Sequence, residues 1–88
     1  MPSDLDAEFR KAAEDVRHLP TRPDNDTLLK LYALYKQATA GNNDAPKPGF
    51  FDFVGTAKYE AWSRLRGMQA ADAQQKYIEL VRALEAKA

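Results

Sequence analysis

The stretch D-N-D-T-L-L-K-L-Y-A-L-Y-K-Q-A-T-A-G, from Asp24 to Gly41, carries the reading of the whole chain. Asp24 is suited to cap a helix start, and Asp26 sits where the helix dipole favours negative charge. Gly41 is a natural C-terminal stop, so the stretch reads as one helix from about Asp24 to Ala40. Its apolar residues are Leu28, Leu29, Leu31, Tyr32, Leu34, Tyr35 and Ala38. At a helical repeat they cover an arc of roughly 220°, against the ~100° that a surface helix needs. Two faces can be separated: Leu28, Leu31, Tyr35 and Ala38 on one, Leu29, Tyr32 and Lys36 on the other. Either the helix is sandwiched in the core, or one flank meets something outside the chain.

Upstream, Leu5, Phe9, Ala12, Ala13 and Val16 recur on one face of an amphipathic helix from about Ser3 to Arg17. Ser3 followed by Asp6 resembles a capping box. Pro20 and Pro23 close this segment near His18. Downstream lies G-N-N-D-A-P-K-P-G-F-F-D-F, Gly41 to Phe53, long for a connection in so small a chain. It is not fully polar, since it carries Phe50, Phe51 and Phe53, which are expected to pack somewhere. A crossover of this length lets two successive helices run parallel. A third helix is expected over Val54–Arg66, ended by Gly67, and a fourth over Gln69–Ala86, with Ala73, Tyr77, Leu80, Val81 and Leu84 at helical spacing. No long period-two alternation occurs. The expectation is an all-α, four-helix bundle with a long crossover between the second and third helices, one domain spanning residues 1–88.

Composition narrows the function. The 88 residues are 44% hydrophobic and 30% charged, as in a globular protein. Thirteen basic and thirteen acidic side chains cancel, so the excess charge of a general nucleic-acid binder is missing. There is no cysteine, which excludes disulfides, thiolate metal sites and cysteine nucleophiles. No apolar run is long enough to span a bilayer. The acidic opening, Asp4, Asp6 and Glu8, fits neither a signal nor a transit peptide, so a cytoplasmic protein is expected. The one histidine, His18, has no nucleophile and orienting acid set beside it, and reads as a helix-end residue.

Basic residues interleaved with tyrosines are the positive signal. Tyr32, Tyr35 and Lys36 form Y-x-x-Y-K and are expected to converge on one edge of the second helix. Lys58 and Tyr59 adjoin on the third, Tyr77 lies on the inner stripe of the fourth, and Arg17 closes the first. Phenol rings stack on heterocycles or donate hydrogen bonds, and cations meet phosphate. The set suits a phosphorylated aromatic ligand, and the extra apolar flank suits a greasy attachment. Equally, each tyrosine could merely rim the core with its hydroxyl in water.

These residues resemble the acyl-CoA-binding protein family from Phe9 to about Leu84. The matching strings are F-R-K-A-A-E-D-V-R-H-L from Phe9, L-x-x-Y-x-x-Y-K-Q-A-T-x-G from Leu29, K-P-G-F-F-D-F from Lys47, G-T-A-K-Y-E-A-W from Gly55 and D-A-x-x-x-Y-I from Asp72. The resemblance implies an up-down-down-up order of helices and a long-chain acyl-CoA ligand whose tail lies in a groove beneath the head. It implies that Tyr32, Lys36 and Lys58 surround the ribose 3′-phosphate, Tyr35 the adenine and Arg17 the phosphates. It further implies that Tyr77 contacts the ligand and that Ala13, Leu28 and Leu29 line the site. Three positions depart: Val54 where many members carry lysine, Tyr59 where many carry tryptophan, and Arg17 in place of lysine.

The function expected is a non-catalytic intracellular carrier of fatty acyl-CoA, needing no cofactor or metal. It is expected to be a monomer without stable membrane insertion, with acyl-CoA-using enzymes as candidate recipients. A helical protein-interaction module is the alternative; it predicts an exposed apolar patch and no stabilisation by CoA. An acyl-CoA enzyme stands third, for want of a nucleophile and base, and a membrane-surface helix fourth, because the helices carry mixed charge.

Overall fold

The computed structural model describes residues 4–87 and consists of four α-helices: α1 (Asp4–Asp15), α2 (Asn25–Ala40), α3 (Phe53–Ser63) and α4 (Ala70–Lys87). The proposed Ser3 cap lies outside the described residues. Asp24 caps α2 as expected, accepting from the Thr27 amide at 2.7 Å. Gly41 stops it at φ 81° and ψ −152°, a conformation open essentially only to glycine. α1 tightens into a 3-10 turn over Val16–His18, and Leu19 turns extended immediately before Pro20, as a following proline requires.

α3 starts one residue earlier than expected and ends three earlier. At its start, Asp52 accepts from the Gly55 amide at 2.9 Å. A Cβ at Gly55 would collide with that carboxylate, which accounts for a glycine in the first turn. At its end, residues 64–67 form tight turns, with the Leu65 and Arg66 amides bonding to the Trp62 and Ser63 carbonyls. The Arg66 guanidinium is drawn across to the Asn43 carbonyl at 3.0 Å. A helix continued to Arg66 would forfeit that contact.

Polar contacts fix the helix directions. Gln74 on the first turns of α4 bonds to Asp6 at 2.8 Å, and Arg82 near the other end of α4 bonds to Asp15 at 2.9 Å, so α1 and α4 run parallel. Gln37, near the end of α2, donates to the carbonyl of Met68 just before α4 at 2.8 Å, so α2 and α4 are antiparallel. Trp62, near the end of α3, donates to the carbonyl of Gly41 at the end of α2 at 2.8 Å, so α2 and α3 are parallel. The order is up-down-down-up.

The core joins α1, α2 and α4 through Phe9, Ala12, Leu31, Leu34, Ala73, Tyr77, Ile78 and Val81. α3 packs chiefly on α2, and its one buried residue is Trp62. A polar hub locks the end where α2, α3 and the start of α4 meet. Buried Asn43 donates to the Tyr59 carbonyl and the Ser63 hydroxyl, and Asn42 accepts from both Gln37 and the Gly67 amide. Buried amides of this kind cost stability unless paired, so the hub fixes one register of the crossover. The protein is 15 Å through its thinnest dimension, which leaves α2 reachable from both sides.

One expectation fails. Phe50, Phe51 and Phe53 do not pack into the body; they are 86%, 80% and 73% exposed. The polar hub anchors the crossover at residues 42–45 and the Asp52 cap anchors its other end, so Phe50 and Phe51 between them are held outward, while Phe53 opens α3 at the edge of a groove.

Acid should weaken the link between α1 and α4. The Arg82 hydrogen bond, then Lys11, holds the Asp15 carboxyl below its ordinary 3.8, and the Thr27 amide does the same for Asp24. A lowered native pKa means that the unfolded chain binds more protons in acid. The contribution is therefore complete above the ordinary carboxylate value and is lost as pH falls from there through the lower native value. Urea midpoints measured down an acid series should drop across that window, and the drop should be shallower in Asp15→Asn. An equal slope in the variant would remove Asp15 from the effect.

Candidate functional site

α2 and α3 meet in parallel register, and the register places cations against rings. Lys58 Nζ lies 5.2 Å from the centre of the Tyr32 ring, and Lys36 Nζ lies 4.9 Å from that of Trp62. Each pair is separated by four residues on its own helix, one helical turn, so the two contacts stack along the seam with ring and cation exchanged. Among the described residues neither ammonium has a carboxylate partner. Both are held by ring faces, an attraction of about 0.5–1 kcal/mol where solvent reaches. A phosphate can displace such a contact without breaking an ion pair.

Beside the seam runs a groove of about 420 Å³ lined by Leu28, Leu29, Tyr32, Phe53, Val54 and Ala57, with Arg22, Asn25 and Lys58 at its edge. Its floor is apolar and its charged groups are basic. The wide apolar arc of α2 is divided between core and groove, but not along the line read from the sequence: Leu28, grouped there with Leu31, lines the groove beside Leu29 and Tyr32. Leu31 and Leu34 enter the core, while Leu29 and Tyr32 are left to the groove.

On the other flank of α2, Tyr35 stacks on Phe9 with ring centres 5.7 Å apart, and Phe9 meets Tyr77 edge-on at 5.1 Å. These rings floor a depression of about 390 Å³ that also takes in Ala13 and is rimmed by Arg10, Glu14 and Arg17. The upper ring is accessible, since Tyr35 is 43% exposed. Arg17 is 3.6 Å from Glu14, a solvent-exposed pair worth little that a phosphate can compete with. Burial, and then the nearby Tyr35, pushes the Tyr77 phenol above its ordinary 10.0. Tyr77 therefore stays protonated and able to donate, and its hydroxyl engages none of the described residues.

The sequence-derived residues thus fall into two groups astride α2. Leu28, Leu29, Tyr32 and Lys58 belong to the α2–α3 groove; Ala13, Arg17, Tyr35 and Tyr77 belong to the α1–α4 side. Lys36 lies along the seam with α3. The expected convergence of Tyr32, Tyr35 and Lys36 on one edge does not occur. Tyr32 and Lys36 are about 40° apart around the helix, but Tyr35 is about 100° from Lys36, far enough for the Phe9–Tyr77 cluster to claim it. Arg10, Arg22 and Asn25 were not picked out beforehand. Arg22 lies in the proline-rich turn, where no periodicity points to a partner. Arg10 is one position after the core residue Phe9, a spacing that by itself reads as solvent-facing.

A sequence model described as Acyl CoA binding protein matches residues 6–81, which run from α1 into α4 and include every residue of both groups. The chain belongs to the acyl-CoA-binding protein family. It is 52% identical over 79 residues to the acyl-CoA-binding protein of Saccharomyces cerevisiae, covering 90% of this chain and 91% of that one. It is 50% identical over 80 residues to the acyl-CoA-binding protein homolog of Drosophila melanogaster, covering 91% and 93%. Among solved structures, the crystal structure of Oryza sativa Acyl-CoA-Binding Protein 2 superposes with a TM-score of 0.90 at 36% identity, over 94% of this chain and 92% of that. The solution structure of the yeast protein superposes with a TM-score of 0.73 at 52% identity, over 90% and 92%. The four-helix arrangement is thus shared with solved members of the family. Among the described residues no helix is long and apolar enough to cross a membrane.

Proposed function

We propose that this protein binds long-chain fatty acyl-CoA esters and acts as a cytoplasmic, monomeric carrier of them, without catalysis and without a cofactor. The observation that carries the reading is the α2–α3 groove, which joins an apolar floor to a rim of cations that no carboxylate among the described residues neutralises. Family membership points the same way. Tyr35 and Tyr77, with Arg17 beside them, offer a stacking surface and a phosphate contact for the adenine end. Lys36 and Lys58 neutralise the ribose phosphate along the seam. Leu28 and Leu29 remove the tail from water. Ala13 leaves room beside the rings that a larger side chain would fill. Withdrawing the ester from solution shields its thioester and suppresses its detergent action. Acyl-CoA-using enzymes are the recipients this chemistry would serve.

Val54 stands at the groove where many members carry lysine, and it is 69% exposed. The head group therefore depends more heavily on Lys58 and Lys36. Lys36→Ala should weaken acyl-CoA and free CoA alike by about ten- to a hundredfold, the worth of one charge-assisted contact of about 1.5–3 kcal/mol. Titration with both ligands checks this, with helicity confirmed by circular dichroism. Affinity equal to the parent protein would take Lys36 out of the site.

Isothermal titration calorimetry with palmitoyl-CoA, beside CoA alone and palmitate alone, tests the reading itself. Tight one-to-one binding of the ester, with much weaker binding of either half, is expected of a site that reads head and tail together. No binding of the ester would overturn the carrier and favour the protein-interaction alternative, for which the exposed phenylalanines of the crossover are the motivating feature.

A further inference from the structure

The crossover displays its largest apolar side chains at a tip that is built and not frayed. The Asp52 amide bonds to the Gly49 carbonyl at 3.0 Å, closing a tight turn over residues 49–52. Phe50 and Phe51 occupy its two corner positions, where polar or small residues are usual. Their rings brace each other edge-to-face with centres 5.0 Å apart, and they are 86% and 80% exposed. Pro46 and Pro48 restrict the approach, and the Asp52 cap fixes the exit into α3. Neither ring lines the groove, yet the next apolar residues along the chain, Phe53 and Val54, form its wall. The turn tip and the groove wall are thus separated along the chain only by Asp52, whose carboxylate accepts from the Gly55 amide. Lys47 is exposed just before the tip, and Arg22 and Lys58 stand at the groove's edge.

We infer that the Phe50–Phe51 turn is a docking wedge for the surface of a phospholipid bilayer, which places the mouth of the α2–α3 groove against the lipid. The inference rests on the acyl-CoA reading for its purpose: the tail of such a ligand is at home in a bilayer, and a groove that opens at the lipid surface can receive it without exposing it to water. Two protruding rings suit an interface that yields around them. A protein partner would instead need a shaped pocket to match. Flanking lysine and arginine complement lipid phosphates. Two rings without a helix face give brief, reversible contact and not residence, as shuttling requires.

The docking is measured without ligand. Phe51→Trp adds an exposed indole while Trp62 remains buried. On addition of phosphatidylcholine vesicles, with and without phosphatidylserine, its emission should shift blue and be quenched by brominated phosphatidylcholine. Emission that ignores vesicles of both compositions would overturn the wedge. In a second measurement, palmitoyl-CoA is transferred from vesicles to the protein in a stopped-flow cell. The rate should rise with vesicle concentration and fall several-fold in the Phe50→Ser/Phe51→Ser double variant, while calorimetric affinity in solution stays at the parent value. Equal transfer rates in parent and variant would also overturn it. So would a concentration-dependent dimer abolished by the double variant, which would assign the turn to a second copy of the chain. Were calorimetry to find no acyl-CoA binding, the carrier reading would fall alone, because the indole signal decides docking by itself.

Discussion

Trp62→Ala should destabilise the protein by about 3–5 kcal/mol, the usual cost of removing a large buried aromatic. That is a large part of the ~5–10 kcal/mol expected for a chain of this size. The loss should not be shared evenly. Trp62 is the one buried residue of α3, 6% exposed, and its indole nitrogen holds the Gly41 carbonyl at 2.8 Å. Its ring also seats Lys36. α3 is 11 residues long, below the ~12–15 at which an isolated helix becomes even marginal in water. Undocked, it should unfold. The cluster of Phe9, Leu31, Leu34, Tyr77 and Val81 contains no α3 residue and should hold α1, α2 and α4 together. Amide exchange then separates the cases. Fast exchange confined to residues 53–63, with α4 still protected, is the expected result. Uniform loss of protection would mean that α3 belongs to the same cooperative unit as the rest. Ligand binding should disappear in either case, since Lys58 rides on α3.

This division of labour shows what a single sequence can and cannot convey. The caps and stops of α2 are local, so Asp24 and Gly41 could be read directly: each acts on backbone groups within a turn of itself. The core stripe of α4 was legible at Ala73, Tyr77 and Val81, because burial on one face imposes a period, but buried Ile78 fell outside the stripe and Leu80 and Leu84 are only partly buried. Inter-helix register leaves no such mark. That Tyr32 meets Lys58 and Lys36 meets Trp62 depends on how far α3 slides along α2, which the Gly41–Trp62 and Asn43–Ser63 contacts fix. Asn42 and Asn43 look like ordinary loop residues, and the partners by which they tie the crossover to α3 and to Gly67 lie more than fifteen positions away. Phe50 and Phe51 were misplaced for the opposite reason. Apolar character predicts burial on average, but two anchored ends and a tight turn left these rings little to pack on but each other. The resemblance to a family supplied the candidate residues together; the division of α2 into two faces set Tyr35 apart from Tyr32 and Lys36 correctly, and only the Y-x-x-Y-K grouping put it on their edge.

Acyl chain length should control affinity steeply and then stop. The α2–α3 groove presents Leu28, Leu29, Tyr32, Phe53, Val54 and Ala57, and about 0.8 kcal/mol is gained per methylene fully withdrawn from water. Two methylenes are then worth ~1.6 kcal/mol, and with one side of the groove open the expected gain is about tenfold for each pair. Free CoA should accordingly bind far more weakly than any long-chain ester. Where the rise ends is set by geometry. Leu29 and Ala57 also wall a second, larger depression of about 760 Å³, floored by Ala33, Leu34, Ala61, Leu65 and Met68. A tail that passes between Leu29 and Ala57 gains this second surface, while one that halts there does not. Ala57→Leu narrows that point and should move the plateau to shorter chains, leaving CoA itself at its parent affinity. Calorimetry across a series of saturated acyl-CoA esters measures both curves. Flat affinity from short to long chains would refute the buried tail. An unmoved plateau in Ala57→Leu would mean that the tail ends before Ala57, or leaves the groove along Phe53 and Val54.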